Sequence, residues 1–389
     1  MRRGSYSEDK MKQFKIASAV ISLVFILGLL VIVGCSDGVD AGNKEPIKIG
    51  ATLVLSGKFA FIGEQELNGM SMAVDEINSK GGVNGRRLQL IVEDNKGDTK
   101  EGVTNVNKFI SSDDVDVVFS AFTHITSGVK DIVTSNGKIL FYASTVPDFA
   151  KESKYAFRDY FDAGDQGKIL AQKVANDKRE RIAYLTEVSD VAKVFENGFK
   201  EVAQEEAITI TAREKFQADA TDVKTQLLKL DLNEVDALIV VGWKHETIIM
   251  KQLKELGFID VPTYHLVGPF LPSADTTEMR ALYEENNAVS AWYGIADVVT
   301  GDAGEFVKKY NVRFNKSPRA DATYAYDDIY ALAEAFDGCE NEDSDCVAEH
   351  LLNTNLEGAG GRLTFDSDGV SQREVLLIHV RDGKWVEVE

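Results

Sequence analysis

From Ile47 to Leu256 the chain switches repeatedly between short apolar runs of strand length and longer stretches whose apolar residues recur every three or four positions. This alternation constrains the fold more than any other feature. Strand, helix, strand repeated many times closes most readily as parallel sheets with helices packed on both faces. The strand-like runs are Ile47 to Leu55, Arg87 to Glu93, Val115 to Phe119, Lys138 to Tyr142, Arg181 to Thr186, Thr209 to Phe216 and Ala237 to Val241. Leu67, Met70, Val74 and Ile77 have helical spacing and stop at Gly81-Gly82, a helix followed by its glycine cap. Further helices are expected at Thr99 to Ile110, Ser127 to Ser135, Asp165 to Ala175, Val191 to Glu205, Asp222 to Leu230 and Glu246 to Leu256.

A chain of 389 residues exceeds one comfortable core, so two doubly wound α/β lobes are predicted. Their expected ligand location is a crevice outside the carboxyl ends of the strands, where helix N-termini direct partial positive charge. The loops facing that crevice are Ser56 to Gly63, Ser120 to Ser127, Tyr142 to Pro147, Thr186 to Asp190, Gly242 to His245 and Gly268 to Pro272.

Ahead of this body, Ile16 to Gly34 is a long, predominantly apolar run flanked by Lys10, Lys12 and Lys15. That pattern is an export leader. Its end, Ile32-Val33-Gly34-Cys35, resembles a bacterial lipobox, in which the cysteine becomes the lipidated first residue of the mature chain. Met11-Lys12-Gln13-Phe14-Lys15 is a complete positive region by itself, so Met11 is an alternative start. The run is also long enough to span a bilayer, which leaves an uncleaved anchor as the alternative. Either way the body is displayed outside the cytoplasm. Ser36 to Glu45 forms a polar tether, ended by Pro46.

The formal net charge is −20, and the leader carries more basic than acidic residues, so its loss leaves the body more acidic still. Such a surface repels phosphate backbones and argues against nucleic acid as a partner. Cys339 and Cys346 flank an acidic, turn-prone stretch. In an exported protein this pair reads as a small local disulfide, with two free thiols as the alternative. A metal site is not expected there, because no histidine or further cysteine stands beside the pair.

Catalytic patterns are missing from the sequence. There is no Gly-x-x-x-x-Gly-Lys-Ser/Thr loop, no strand followed by Gly-x-Gly-x-x-Gly, and no Gly-x-Ser-x-Gly elbow. No cofactor is therefore expected. The histidines (His124, His245, His265, His350, His379) are scattered, and His124 and His245, in crevice loops, read as hydrogen-bonded wall residues. The crevice loops instead carry aromatic and hydroxyl groups: Phe59, Phe61, Phe122, Thr123, Thr126, Tyr142, Ser144, Thr145, Trp243 and Phe270. Apolar walls with a few placed donors describe a small-molecule pocket. Phe59 and Tyr142 are expected to pack into their own lobe. Trp243, after the strand Leu238 to Val241 and Gly242, stands at the pocket mouth with Lys244 and His245 beside it.

The order of residues also resembles a known family. Ile49-Gly50-Ala51 through Leu55-Ser56-Gly57, then Gly63-Glu64-Gln65 with Asn68-Gly69, is similar to the start of type I periplasmic binding proteins. Ala73-Val74-Asp75-Glu76-Ile77-Asn78, Gly81-Gly82-Val83, Gly85, Glu93-Asp94 and Gly361-Arg362-Leu363-Thr364-Phe365-Asp366 with Gly369 extend the likeness from about Ile47 to Val388. The nearest group is the Leu/Ile/Val-binding, or branched-chain amino acid, receptors of ABC importers. The resemblance implies a three-segment hinge, with crossovers near Phe157, Tyr293 and Arg362. One lobe would then comprise 47–157 and 293–361, the other 158–292 and 362–389, after a leader at 1–34 and a tether at 35–46.

Carried over residue by residue, the resemblance places Ile62 against a ring that touches ligand. It places the Thr123-His124 segment, beside the candidate wall residue Phe122, where a serine pair takes a carboxylate, within a one-residue offset. Ala143, Ser144 and Thr145 match the Ala-x-Thr that meets the amino-acid head group, and Trp243 matches an aromatic of the second lobe. Two departures stand out. Phe270 follows Gly268-Pro269 where amino-acid receptors carry a glutamate for the ammonium, and Val191 replaces a second-lobe tyrosine, with Asp190 beside it. A buried ammonium without an anion is costly. Asp190 or Glu187 is a substitute charge, and an amide, a carboxylate or an aromatic acid is the alternative ligand. The implied partners are a small-molecule solute, an ABC permease with its ATPase subunits, and a membrane held through the lipid anchor. A ligand-sensing module for a signalling system and an extracellular enzyme are the alternative readings. Cys35→Ser is expected to leave ligand binding intact and to release the protein from membranes; a Cys35→Ser chain that still pellets with membranes in fractionation points to the uncleaved anchor.

Overall fold

The computed structural model describes residues 44–145, 148–242, 245–266, 276–292, 302–340 and 343–388. Two sheets organise the chain. The first holds β1 (Ile47–Leu53), β2 (Leu88–Asp94), β3 (Val117–Ala121), β4 (Ile139–Ala143) and β5 (Ala156–Arg158), in the order β2-β1-β3-β4-β5 and parallel throughout. The second contains β6 (Arg181–Glu187), β7 (Thr209–Phe216), β8 (Ala237–Val241), β9 (Thr263–His265) and β10 (Val289–Trp292) in parallel. A small hairpin, β11 (Asn355–Gly358) and β12 (Gly361–Thr364), stands apart. The last strands, β13 (Leu376–Arg381) and β14 (Lys384–Glu387), add antiparallel to β10, giving the order β14-β13-β10-β9-β8-β6-β7.

Helices cover the sheet faces, which is why β3 and β8 are buried at every position. Local chemistry sets several helix starts. Asp98 caps Thr99–Lys108, Asp162 caps Ala163–Asn176, and the Ser189 hydroxyl caps Asp190–Glu205. Two helices begin earlier than their apolar spacing predicts, at Ala60 and at Thr123. The first turn at Thr123 holds one apolar residue among hydroxyls and a histidine, so periodicity does not register it. The segments read as crevice loops at 60–63 and 123–127 are therefore helical first turns. Gly69 is needed where Ala60–Ser79 crosses Ala320–Asp337: a Cβ there would lie 2.1 Å from the carbonyl oxygen of Ala322.

The chain passes from the first sheet to the second after β5, and the helices Asp302–Phe314, Ala320–Asp337 and Ser344–Leu352 follow β10. Ala320–Asp337 packs on Ala60–Ser79, and after β12 the chain enters the second sheet at β13. On the way it runs beside β5: Arg158 donates its N–H to the carbonyl of Gly369 at 2.8 Å, and Ser371 donates back to the carbonyl of Arg158 at 2.8 Å. Arg373 then joins the separate segments. Its Nε donates to Asp159 Oδ1 at 2.8 Å, its Nη2 to Asp159 Oδ2 at 2.5 Å and its Nη1 to Asp327 Oδ2 at 3.0 Å, while its guanidinium lies 4.4 Å from the Tyr324 ring centre. Asp327 also accepts the N–H groups of Ala359 and Gly360 at 2.7 and 2.8 Å. Burial would lower the pKa of Arg373, but Asp159 and then Asp327 outweigh it and hold the guanidinium charged. Burial pushes Asp327 up to about 6 against the pull of Arg373 and the two amides.

Cys339 and Cys346 form a disulfide. One expectation about this corner is corrected: His350, one helical turn after Cys346, does lie beside the pair, its ring nitrogen within 4.8 Å of the sulfurs. No helix among the described residues is long and apolar enough to cross a membrane. Replacing Arg373 with Gln strands two buried carboxylates and is expected to cost about 3–5 kcal/mol of unfolding free energy. Urea unfolding monitored by circular dichroism checks this, and a cost under about 1 kcal/mol would show that the clasp is dispensable.

A candidate ligand cleft between the sheets

A cleft of about 380 Å³ opens at the carboxyl ends of the strands. Its first-lobe wall is built by Phe59, Ile62, Glu66, the run Ala121 to His124, and Ala143, Ser144 and Thr145, and its second-lobe wall by Tyr160, Glu187, Val191 and Ala218. Only Phe122 separates β3 from the helix Thr123–Ser135, and it has φ +67°, which a side chain rarely adopts. This tight turn starts the helix at the cleft. Phe122 supplies no side-chain cap, so the opening amides of this helix are left without a side-chain acceptor from the N-cap.

Hydroxyl groups surround that turn. Thr123 Oγ1 and Ser144 Oγ are 2.8 Å apart, and Ser120 Oγ meets Thr126 Oγ1 at 3.1 Å in the buried layer beneath. The carbonyl of Ser144 accepts Nε of Arg158 at 2.7 Å, which ties the wall to β5 and the interlobe connection. His124 stands exposed at the rim, with Nε2 3.1 Å from the carbonyl of Gly97. Phe59 and Phe122 form an apolar shoulder, their ring centres 5.8 Å apart.

The electrostatics are acidic. Glu66 is 2% exposed; burial, then Asp321, holds its pKa well above the usual carboxylate range. Glu187 Oε2 lies 3.3 Å from His245 Nδ1, in an orientation that makes no hydrogen bond. Beneath it, burial pushes Glu246 up to about 8, with Glu187 adding to the rise.

Of the residues singled out from the sequence, Ile62, Phe122, Thr123, His124, Ala143, Ser144 and Thr145 are brought together in this cleft. Asp190 is not among its lining. Its carboxylate is exposed and accepts from Lys193 Nζ at 2.7 Å, while its neighbour Val191 faces the cleft. Trp243, Phe270 and Cys35 lie outside the described residues. Phe59, expected to pack within its own lobe, lines the cleft instead, whereas Tyr142 is buried and accepts the N–H of Ala150 at 2.8 Å. Sequence reasoning missed Glu66, Tyr160 and Ala218. Glu66 follows Ile62 by four residues, so helical spacing alone assigns it the same face.

A buried acid with a raised folded pKa favours the folded state at low pH and loses that contribution as pH rises through the folded value. For Glu246 the window runs from its ordinary 4.5 to about 8. The thermal midpoint is therefore expected to fall between pH 6 and pH 8, with a shallower slope in Glu246→Gln. Identical slopes in differential scanning calorimetry would remove Glu246 as the cause.

Comparison with known proteins agrees with this geometry. The periplasmic binding protein family model matches residues 46–384. Leu/Ile/Val-binding protein homolog 7 of Brucella abortus is 21% identical over 369 residues, covering 90% of this chain and 92% of its own. The branched-chain amino acid transporter substrate binding protein LivJ of Streptococcus pneumoniae, solved with isoleucine, superposes with a TM-score of 0.73 and 26% identity over 88% of this chain and 99% of its own. A solute binding protein of an ABC transporter from Rhodopseudomonas palustris, solved with 3,4-dihydroxybenzoic acid, gives 0.74 and 19% identity over 88% of this chain and 96% of its own, a likeness of fold. With the family model spanning nearly the whole described body, the chain belongs to the periplasmic binding protein family.

Proposed function

We propose that this protein is the extracytoplasmic solute receptor of an ABC importer, closing its lobes on a branched-chain amino acid or a related organic solute and delivering it to a membrane permease. The observation that carries this reading is the cleft itself. Its walls come from the strand ends of both sheets, so a small ligand touching both stabilises only the shut arrangement. The uncapped amides at Thr123, with the Thr123 and Ser144 hydroxyls, suit a carboxylate, while Phe59, Ile62 and Phe122 suit an apolar side chain. The relatives named for Leu/Ile/Val binding and the isoleucine-bound LivJ support that ligand class. The proposed hinge has three crossovers, dividing the body at 47–157 with 293–361 and 158–292 with 362–389. Lipidation at Cys35 would hold the receptor beside its permease, since several acyl chains on one residue anchor stably where one does not.

A thermal-shift screen of amino acids, their amides and organic acids tests the reading. At least one compound is expected to raise the midpoint and to bind on the order of tenfold more weakly to Thr123→Val, which loses a hydroxyl facing a charged group. A screen in which no compound shifts the midpoint, or turnover of any bound compound into product, contradicts the reading.

A further inference from the structure

Glu66 is the buried group that the carboxylate-binding turn leaves unexplained. It lines the cleft, yet its Oε2 has no hydrogen-bond partner. The side-chain oxygen of its sequence neighbour Gln65 is engaged elsewhere, accepting from the Tyr310 hydroxyl and the N–H of Arg319, each at 3.0 Å. Behind Glu66 is a cavity of about 10 Å³ that it shares with Asp159, Asp321, Asp328, Tyr160 and Tyr324. None of these supplies a cation. Asp159 is neutralised by Arg373. Asp321 has both carboxylate oxygens without hydrogen-bond partners, and Arg319 Nε approaches only to 3.9 Å. Asp328 Oδ1 is likewise unpartnered. Across the cleft the facing charged group is Glu187, and no lysine or arginine is present among the described lining residues.

A buried carboxyl in such surroundings is neutral or requires a positive partner. Ionising it beside Asp321 and Glu187 without one is costly. A ligand anion at the same spot would add repulsion, whereas an ammonium brings both charge and N–H donors to the open oxygen. We propose that Glu66 is the specificity-determining acid of the cleft, taking a protonated amine on the ligand as its counter-ion. This rests on the solute-receptor reading above and narrows it to ligands that carry an ammonium. The proton balance is explicit. Burial and Asp321 favour the protonated acid in the empty cleft, a bound ammonium favours the Glu66 carboxylate, and the proton released goes to solvent. Amine binding therefore strengthens with rising pH, up to about tenfold per pH unit below the empty-state pKa of Glu66.

Titration calorimetry on the full chain in detergent, with leucine, isoleucine and valine and their des-amino acids (4-methylpentanoic, 3-methylpentanoic and 3-methylbutanoic acids), tests the assignment. The native chain is expected to prefer the amino acids and to release about one proton on binding, read from the dependence of heat on buffer ionisation. Glu66→Gln is expected to lose about tenfold or more in amino-acid affinity, to bind the des-amino acids no more weakly than before, and to release no proton. If Glu66→Gln keeps the native preference and proton release, Glu66 is only a structural acid and the assignment falls. A native chain that binds the des-amino acids and refuses the amino acids overturns the assignment but leaves the receptor reading intact. A chain that binds neither set overturns the assignment, and it sinks the receptor reading as well when the wider thermal-shift screen is also empty. Should Glu66→Gln fail to fold, Glu66→Met removes the carboxyl without leaving a buried polar group and supports the same comparison.

Discussion

The Arg373 clasp is the contact on which the two-lobed arrangement depends. Asp159 follows the first passage between the sheets, Asp327 belongs to the helix packed back on the first lobe, and Arg373 precedes the last entry into the second sheet. One guanidinium thus gathers three segments that lie far apart in the chain. Taking those charges out of water is affordable only because nearly every donor and acceptor is matched, Asp327 holding two backbone amides as well. The bonded positions fix where the connections converge.

The cleft is continuous with this clasp. Tyr160, next to Asp159, lines the second-lobe wall, and Arg158, preceding it, supports Ser144 through its carbonyl. The connection is therefore joined through Ser144 to the hydroxyl cluster around Thr123. The cleft itself is asymmetric: an uncapped helix N-terminus with hydroxyls, an apolar shoulder of Phe59 and Phe122, and a buried acid, Glu66. Those three chemistries match the carboxylate, side chain and amine of one small zwitterion.

Much of the architecture was legible because it is local. Apolar runs of strand length and helical periodicity depend on residues a few positions apart, and β7 and β8 have the predicted bounds. Short strands such as β5 and β9, at three residues each, fall below what a pattern can resolve. The first turn at Thr123 was read as a loop because its hydroxyls and histidine carry no apolar periodicity. Most of the first-lobe wall was found, since it follows strands already located. Asp190 lies outside the cleft lining although its helix was found, because a one-residue step rotates a side chain by about 100°, and Lys193 one turn on pairs with its carboxylate. The clasp was invisible, because Asp159 and Arg373 are separated by 214 positions and nothing local marks their pairing.

The most direct test of closure is the distance between spin labels placed across the cleft mouth, at Lys58→Cys on the first-lobe rim and Lys193→Cys on the second, both exposed positions. Pulsed dipolar spectroscopy with and without a saturating bound solute measures it. The account predicts a shift to a shorter, narrower distance distribution on binding. An unchanged distribution with the solute demonstrably bound would contradict it.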